Sequence, residues 1–389
     1  MASKEGKVSK TPVIMFFLLA AVILAVALLT YMKIQGVDIT NFDMQEIVSA
    51  FISEDETEEG SRVIELEYDS RSHSSFNVYK GQIIKCTADY IKAVNKKGEE
   101  VWSKSLSMRK PMLKTNGSEL LVADEGGRQV YVFKGSSIKW EAKTDSDIIN
   151  AYINENEYVA IVQEAEGYRG MVKVFDPNGV EMLQRSIAEN YVVGAYVSPS
   201  AENLLINSIN TSGIALTSKL ELSKVTEESP FAAILKDDMV FVSVLYFKDD
   251  SFAAAGDEYL IYFDKAANEE WSRDMGRIYS TSLAAGKYIA AACEDDGTAS
   301  SLSGKGFRVE IINNKGQVTA RYALRDEVLN LSSFNDLIAV NTGREVHFIN
   351  TRGKLESKVS SKSDILNVYF ISRLEAVIVT RSSVEIVKV

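Results

Sequence analysis

Along most of this chain, apolar and polar residues alternate in short runs, and the runs keep closing on one phrase: a strand, an Asn or Asp, a tight turn, and a second short strand. The phrase reads IKAVNKKGEEVW at Ile91–Trp102, VKVFDPNGVEML at Val172–Leu183 and LIYFDKAANEEW at Leu260–Trp271. It returns as VEIINNKGQVTA at Val309–Ala320 and VHFINTRGKLES at Val346–Ser357, with a shortened copy, VYVFKGSSIKW, at Val130–Trp140. Alternation with a period of two predicts strands. Their return about every 40 residues predicts a β-propeller in which each repeat is one four-stranded blade.

The spacing predicts the blade number. If each phrase marks the third strand of a blade, the centres fall near Val94, Val132, Val174, Tyr262, Ile311 and Phe348. The double interval between Val174 and Tyr262 predicts a degenerate copy, and Ile214–Val225 (IALTSKLELSKV) fits it. The stretch VEIVKV at Val384–Val389 is the third strand of a further blade, giving eight third strands roughly 42 residues apart. That last blade lacks an outermost strand. Val63–Asp69 (VIELEYD) supplies one, with Ile64, Leu66 and Tyr68 on one face and Glu65, Glu67 and Asp69 on the other. Pairing it with the C-terminal blade closes the ring and removes the open seam.

The phrase has its own local chemistry. Asn or Asp before the turn bonds the backbone two residues ahead, and Gly accepts a positive φ there. Trp102, Trp140 and Trp271 stand where the outermost strand begins, placed to fill the wedge between blades.

A different pattern precedes the repeats. Thr11 to Met32 is 22 residues without a charge, long enough as a helix to cross a bilayer. Lys4, Lys7 and Lys10 precede it and Lys33 follows, and between Ile34 and Ser61 come eight acidic residues and no basic one. Charge asymmetry puts the N-terminus in the cytoplasm and the rest outside. A cleaved signal peptide with Ala25-Val26-Ala27 as its cleavage site is the competing reading, against which the apolar stretch is too long and unbroken. No Cys lies near for lipidation. The expected organisation is a cytoplasmic tail (1–10), a transmembrane helix (11–33), an acidic stalk (34–62) and an all-β eight-bladed propeller (63–389). In the stalk, Ile39, Phe42, Ile47, Val48 and Phe51 share one helical face. SEDETEEGS at Ser53–Ser61 has the composition of a solvated tether.

Composition excludes more than it nominates. The formal net charge of −11 over 389 residues, with no Lys/Arg cluster, argues against nucleic acid as a partner. The only histidines are His73 and His347, too few for a His-rich metal site. No metalloprotease, nucleophile-elbow or phosphate-loop pattern occurs. Cys86 and Cys293 fall in the second strands of blades one and six, and no disulfide is expected between them. Glu294-Asp295-Asp296-Gly297 opens the longest loop, in blade six, where hard oxygen ligands suit calcium, but a solvated hairpin explains it better. Asp124-Glu125-Gly126-Gly127 in blade two reads as a tight hairpin. No residue is nominated as catalytic, cofactor-binding or metal-ligating, and no cofactor is implied.

The phrase resembles the quinoprotein-type repeat of eight-bladed propellers, φ-x-φ-[D/N]-x-x-[T/N]-G-x-x-x-W, carried best by Asn95–Trp102 and Asp264–Trp271. Proteins with that repeat include quinone-dependent alcohol dehydrogenases and the BamB-type lipoproteins that assist outer-membrane protein assembly. The plan of basic tail, single helix, acidic stalk and propeller is similar to membrane-anchored envelope proteins of Gram-positive bacteria. The enzyme branch implies a calcium-bound quinone, a catalytic carboxylate, often adjacent cysteines, and long capping insertions. This chain has no adjacent cysteines and no such insertions. The leading expectation is a non-catalytic scaffold for envelope proteins or wall polymers. The alternatives are a propeller enzyme, quinone-dependent or glycan-active, with carboxylates and aromatics converging in the central channel, and a sensory ectodomain signalling through another membrane protein.

Overall fold

The computed structural model describes residues 62–64, 74–295 and 306–389. They belong to the unit Gly60–Val389 and build eight antiparallel four-stranded sheets. Blades one to seven run Ser75–Ser105, Pro111–Lys143, Ile148–Ile187, Tyr191–Asp237, Ser243–Asp274, Ile278–Leu324 and Asn330–Ser360, each with its strands side by side in chain order. Blade eight takes three strands from Ile365–Lys388 and its fourth from Arg62–Ile64. Arg62 pairs with Ile386, Val63 with Glu385 and Ile64 with Val384. The expected eight blades and their closure are both present. The closing strand starts one residue before the predicted Val63, and 65–69 lie outside the described residues. The degenerate copy in blade four is the strand Thr217–Lys224. The predicted tail and membrane span, and the stalk apart from Arg62, also lie outside the described residues. Among the described residues, no helix is long and apolar enough to cross a membrane.

The core is divided among the blades. Second strands such as Leu120–Asp124 and Val159–Gln163 are buried at every residue, because both faces of each blade are covered by neighbours. Successive side chains point to opposite faces, so Leu120 and Val122 pack on blade one while Leu121 and Ala123 pack on blade three. The same division repeats at every junction, and Val377 and Val379 of blade eight meet Ile83 of blade one. Outermost strands such as Glu100–Ser105 alternate exposed and half-buried positions, one wet face and one packed.

The turns follow the predicted chemistry. Asn95 Oδ1 accepts the N–H of Lys97 at 2.9 Å and of Glu99 at 3.0 Å. Asp176, Asp264, Asn313 and Asn350 repeat both bonds. In blade five, Ala267 stands at the glycine position and adopts φ 68°, a conformation costly for a residue with a Cβ. The tryptophans fill the inter-blade wedges as expected. Trp140 of blade two stacks on Phe175 of blade three at 5.6 Å, and a Cβ on Gly179 would lie 2.8 Å from its indole. Trp102 stacks on Phe133 at 5.7 Å, and Trp271 donates from Nε1 to the Asn314 carbonyl of blade six at 2.9 Å.

The residue three before the Asn or Asp of the phrase also has a job. It faces the outermost strand of the preceding blade. Arg185 of blade three meets Glu221 of blade four at 3.2 Å. Arg273 of blade five lies 3.7 Å from Glu310 of blade six, a buried carboxylate that Arg308 and Arg321 also approach at 3.0 and 2.9 Å. Tyr322 of blade six bonds His347 Nδ1 of blade seven at 2.8 Å. Between blades four and five the matched pair is Ile234 and Ile261, and it is apolar. These four junctions thus each carry a different complementary pair.

Candidate functional site

The first strands of neighbouring blades approach one another around the ring and line the central channel. They are SFNVY, PMLKT, IINAYI, YVVGAYV, SVLY, IYSTSLA, NLSSF and ILNVYF. These strands contain no Asp, Glu, His, Arg or Cys, and one ionisable amine, Lys114. Their inner edges have no further strand to pair with, so side chains of one blade bond across to the next. Ser75 Oγ donates to the Pro111 carbonyl and Asn77 to the Leu113 carbonyl at 3.3 Å. Thr281 bonds Ser243 at 3.0 Å, Ser280 accepts from the Leu331 N–H at 3.0 Å, and Asn330 donates to the Leu366 carbonyl at 3.0 Å. Tyr152 and Tyr196 pack with ring centroids 4.3 Å apart. Burial raises the pKa of both phenols, so they remain donors. The acid–base cluster that a channel enzyme would need is not supplied by these strands.

At one mouth the lining changes character. First strands start on the face that carries the connections between blades and the second-to-third hairpins, here the upper face. Several open with, or directly follow, two consecutive apolar residues: Ile148-Ile149, Phe241-Val242, Ile278-Tyr279, Val328-Leu329 and Ile365-Leu366. The first of each pair is buried. In blades three, six and eight the second is skipped in the pairing register, a β-bulge between Ile148 and Asn150, Ile278 and Ser280, and Ile365 and Asn367. A bulge re-aims a side chain out of the alternation. The outcome is a discontinuous apolar annulus: Val242 is 63 % exposed, Leu329 52 %, Tyr191 44 %, Ile149 40 % and Leu366 37 %. Tyr279 and Met112 are half-buried members. Blade one departs, with Ser75 at the start of its first strand. Between blades eight, one and two the mouth deepens into a cavity of about 230 Å³. Sequence reasoning missed the annulus. The signal available was the doubled apolar residue recurring at blade spacing, where strict alternation would place only one inside.

The residues singled out from sequence are dispersed and structurally engaged. Cys86 and Cys293 are buried free thiols on the second strands of blades one and six. Burial, with the Asp124 carboxylate, pushes the Cys86 thiol up to about 12. Both thiols are expected to stay unreactive toward a disulfide reagent at pH 8 in the native chain and to yield two equivalents on denaturation. Rapid native reaction would contradict their burial. Asp124 clamps the incoming connection, accepting the N–H of Arg109 at 2.6 Å and of Lys110 at 3.0 Å. Gly127 leaves room for that carboxylate, since a Cβ there would fall 1.8 Å from it. Glu294 accepts from the Tyr279 hydroxyl at 2.8 Å, and Asp295 lies 3.5 Å from Arg308. His73, Asp296 and Gly297 lie outside the described residues. Among the described residues no three or more His, Cys, Asp and Glu side chains converge in a metal-binding group.

A family model covers residues 55–389, most of the chain and the whole described ring. The chain belongs to the family of unknown function DUF5711. No curated protein sequence matches this DUF5711 chain. Solved structures similar to it include BamB from Moraxella catarrhalis, 13% identical with TM-score 0.55, covering 86% of this chain and 99% of that one. Sqt1 from Chaetomium thermophilum, solved bound to the N-terminus of a ribosomal protein, is 12% identical with TM-score 0.56, covering 84% and 100%. The C-terminal WD40 domain of Sif2 is 11% identical with TM-score 0.57, covering 85% and 98%. At these identities the likeness is one of fold.

Proposed function

We propose that this DUF5711 protein is a membrane-tethered, extracytoplasmic scaffold whose upper mouth docks a protein of the cell envelope. The apolar annulus carries the reading. Exposed apolar groups clustered on a rigid frame mark protein interaction surfaces, and here bulges in blades three and eight coincide with the exposed Ile149 and Leu366. The channel wall supplies dipoles and aromatic rings rather than carboxylates, which favours binding over the enzyme alternative. Sqt1, which is similar in fold, was solved bound to the N-terminus of another protein, so the fold is compatible with the role. The anchor at 11–33, the cytoplasmic tail, the stalk at 34–62, and the quinoprotein-type ancestry of the repeat are parts of the same proposal, resting on hydropathy, charge asymmetry and the Asn95–Trp102 and Asp264–Trp271 patterns.

The test is crosslinking on intact cells with a membrane-impermeant reagent, followed by recovery of the full chain. A discrete protein adduct is expected with the native sequence. Val242→Glu combined with Leu329→Glu should lower its yield at least about tenfold, because two charges would enter an apolar contact. Stability should change by less than about 0.5 kcal/mol for each surface site. Absence of any adduct, or an adduct indifferent to both substitutions, defeats the proposal.

A further inference from the structure

Resting on that docking reading, we propose that the cavity between blades eight, one and two is the anchor pocket of the surface, and that it takes an acidic side chain, Asp or Glu, flanked by apolar residues on the partner. The cavity forms where the annulus is interrupted, beside Ser75, and is lined by Phe76, Met112, Lys114, Leu366, Asn367 and Tyr369. Its volume of about 230 Å³ is below that of drug-sized sites. It suits one anchoring residue of a larger interface.

Charge selects the residue. Lys110 and Glu125, also in the lining, neutralise one another at 2.6 Å. Lys114 is the remaining charge. Among the described residues no carboxylate lies within ion-pair distance of it, and its contact is the Tyr152 ring, 5.8 Å from Nζ. Lys114 keeps access to solvent within the channel, while the surrounding walls lower its pKa. A carboxylate brought alongside therefore acts in a medium less screening than bulk water. Asn367 adds an amide group, and Met112 and Leu366 border the site with apolar surface. That border continues around the mouth through Ile149, Val242 and Leu329. A carboxylate seated here must carry apolar neighbours on more than one side, which an internal Asp or Glu provides and a chain terminus does not.

The experiment places a photoreactive benzoylphenylalanine at Leu366, and separately at Val242, in the full chain in intact cells. The crosslinked partner segment is then sequenced by mass spectrometry. The expected adduct at Leu366 contains an Asp or Glu among apolar residues. Its yield should fall at least about tenfold in Lys114→Glu, less in Lys114→Met, and recover when the partner's acidic residue is changed to Lys. Thermal unfolding of both Lys114 variants controls for folding. Adducts at both sites that ignore Lys114→Glu, or a Leu366 adduct to a chain terminus or to a segment without an acidic side chain, overturn the pocket assignment and leave the docking surface standing. Loss of adducts at both sites with an otherwise native chain overturns both.

Discussion

Trp140→Ala is expected to destabilise the ring by about 3–5 kcal/mol, the cost of removing a large side chain from a packed site that cannot collapse. The indole is almost fully buried between blades two and three, stacked on Phe175 and pressed against the turn at Gly179. Its Nε1 has no hydrogen-bond partner among the described residues, so Trp140→Phe loses volume but no bond. That change should cost clearly less than the alanine substitution. Gly179→Ala attacks the same junction from the other side, through a φ of 81° and a Cβ pushed into the ring. The clash vanishes once the indole is gone, so Trp140→Ala with Gly179→Ala should cost less than the sum of the two. Chemical denaturation of the four proteins gives the coupling. Strict additivity would mean that the wedge does not touch the turn.

The second large effect lies at the junction of blades three and four. Glu221→Ala should cost about 3–5 kcal/mol, because it leaves the Arg185 guanidinium buried without its carboxylate. The ring itself suggests the rescue. Ile234 and Ile261 occupy the corresponding positions one junction further on. Replacing Arg185 and Glu221 together by Ile copies that solution and should bring stability back to within about 1 kcal/mol of the native protein. Lys219, the other partner of Glu221 at 3.0 Å, is partly exposed and can turn to solvent. If the double variant is as unstable as Glu221→Ala, the pair does more than match two blades.

Much of this architecture was legible because the phrase is local. The Asn or Asp, the turn and the alternating strand lie within a dozen residues, so each copy announces itself, and even the eroded Thr217–Lys224 strand is found by its spacing. The closing strand was legible because the alternating run Val63–Asp69 stands just ahead of blade one, and Val63 and Ile64 of that run, with Arg62, make the pairing. The matched pairs were not legible, since Arg185 and Glu221 stand in different blades and the residue three before the Asn or Asp varies from Lys92 to Glu310 to His347. The annulus was hidden for a further reason. Ile149, Tyr279 and Leu366 continue an apolar run, and a bulge that turns one residue of the run outward depends on the register of the partner strand.

The pairing of Arg62–Ile64 with Val384–Ile386 has a consequence in time. During synthesis the segment that completes blade eight emerges before the other strands of the described ring and must stay unpaired until its partner arrives. Seven blades can assemble one upon the next by local hairpins, but the circle shuts only in a final, long-range step. Until then Ile83 of blade one and Val377 of blade eight, which end up packed together, are bare apolar faces. Ring closure should therefore be the slowest event in folding, and the interval before it the time when the nascent protein is most exposed to aggregation.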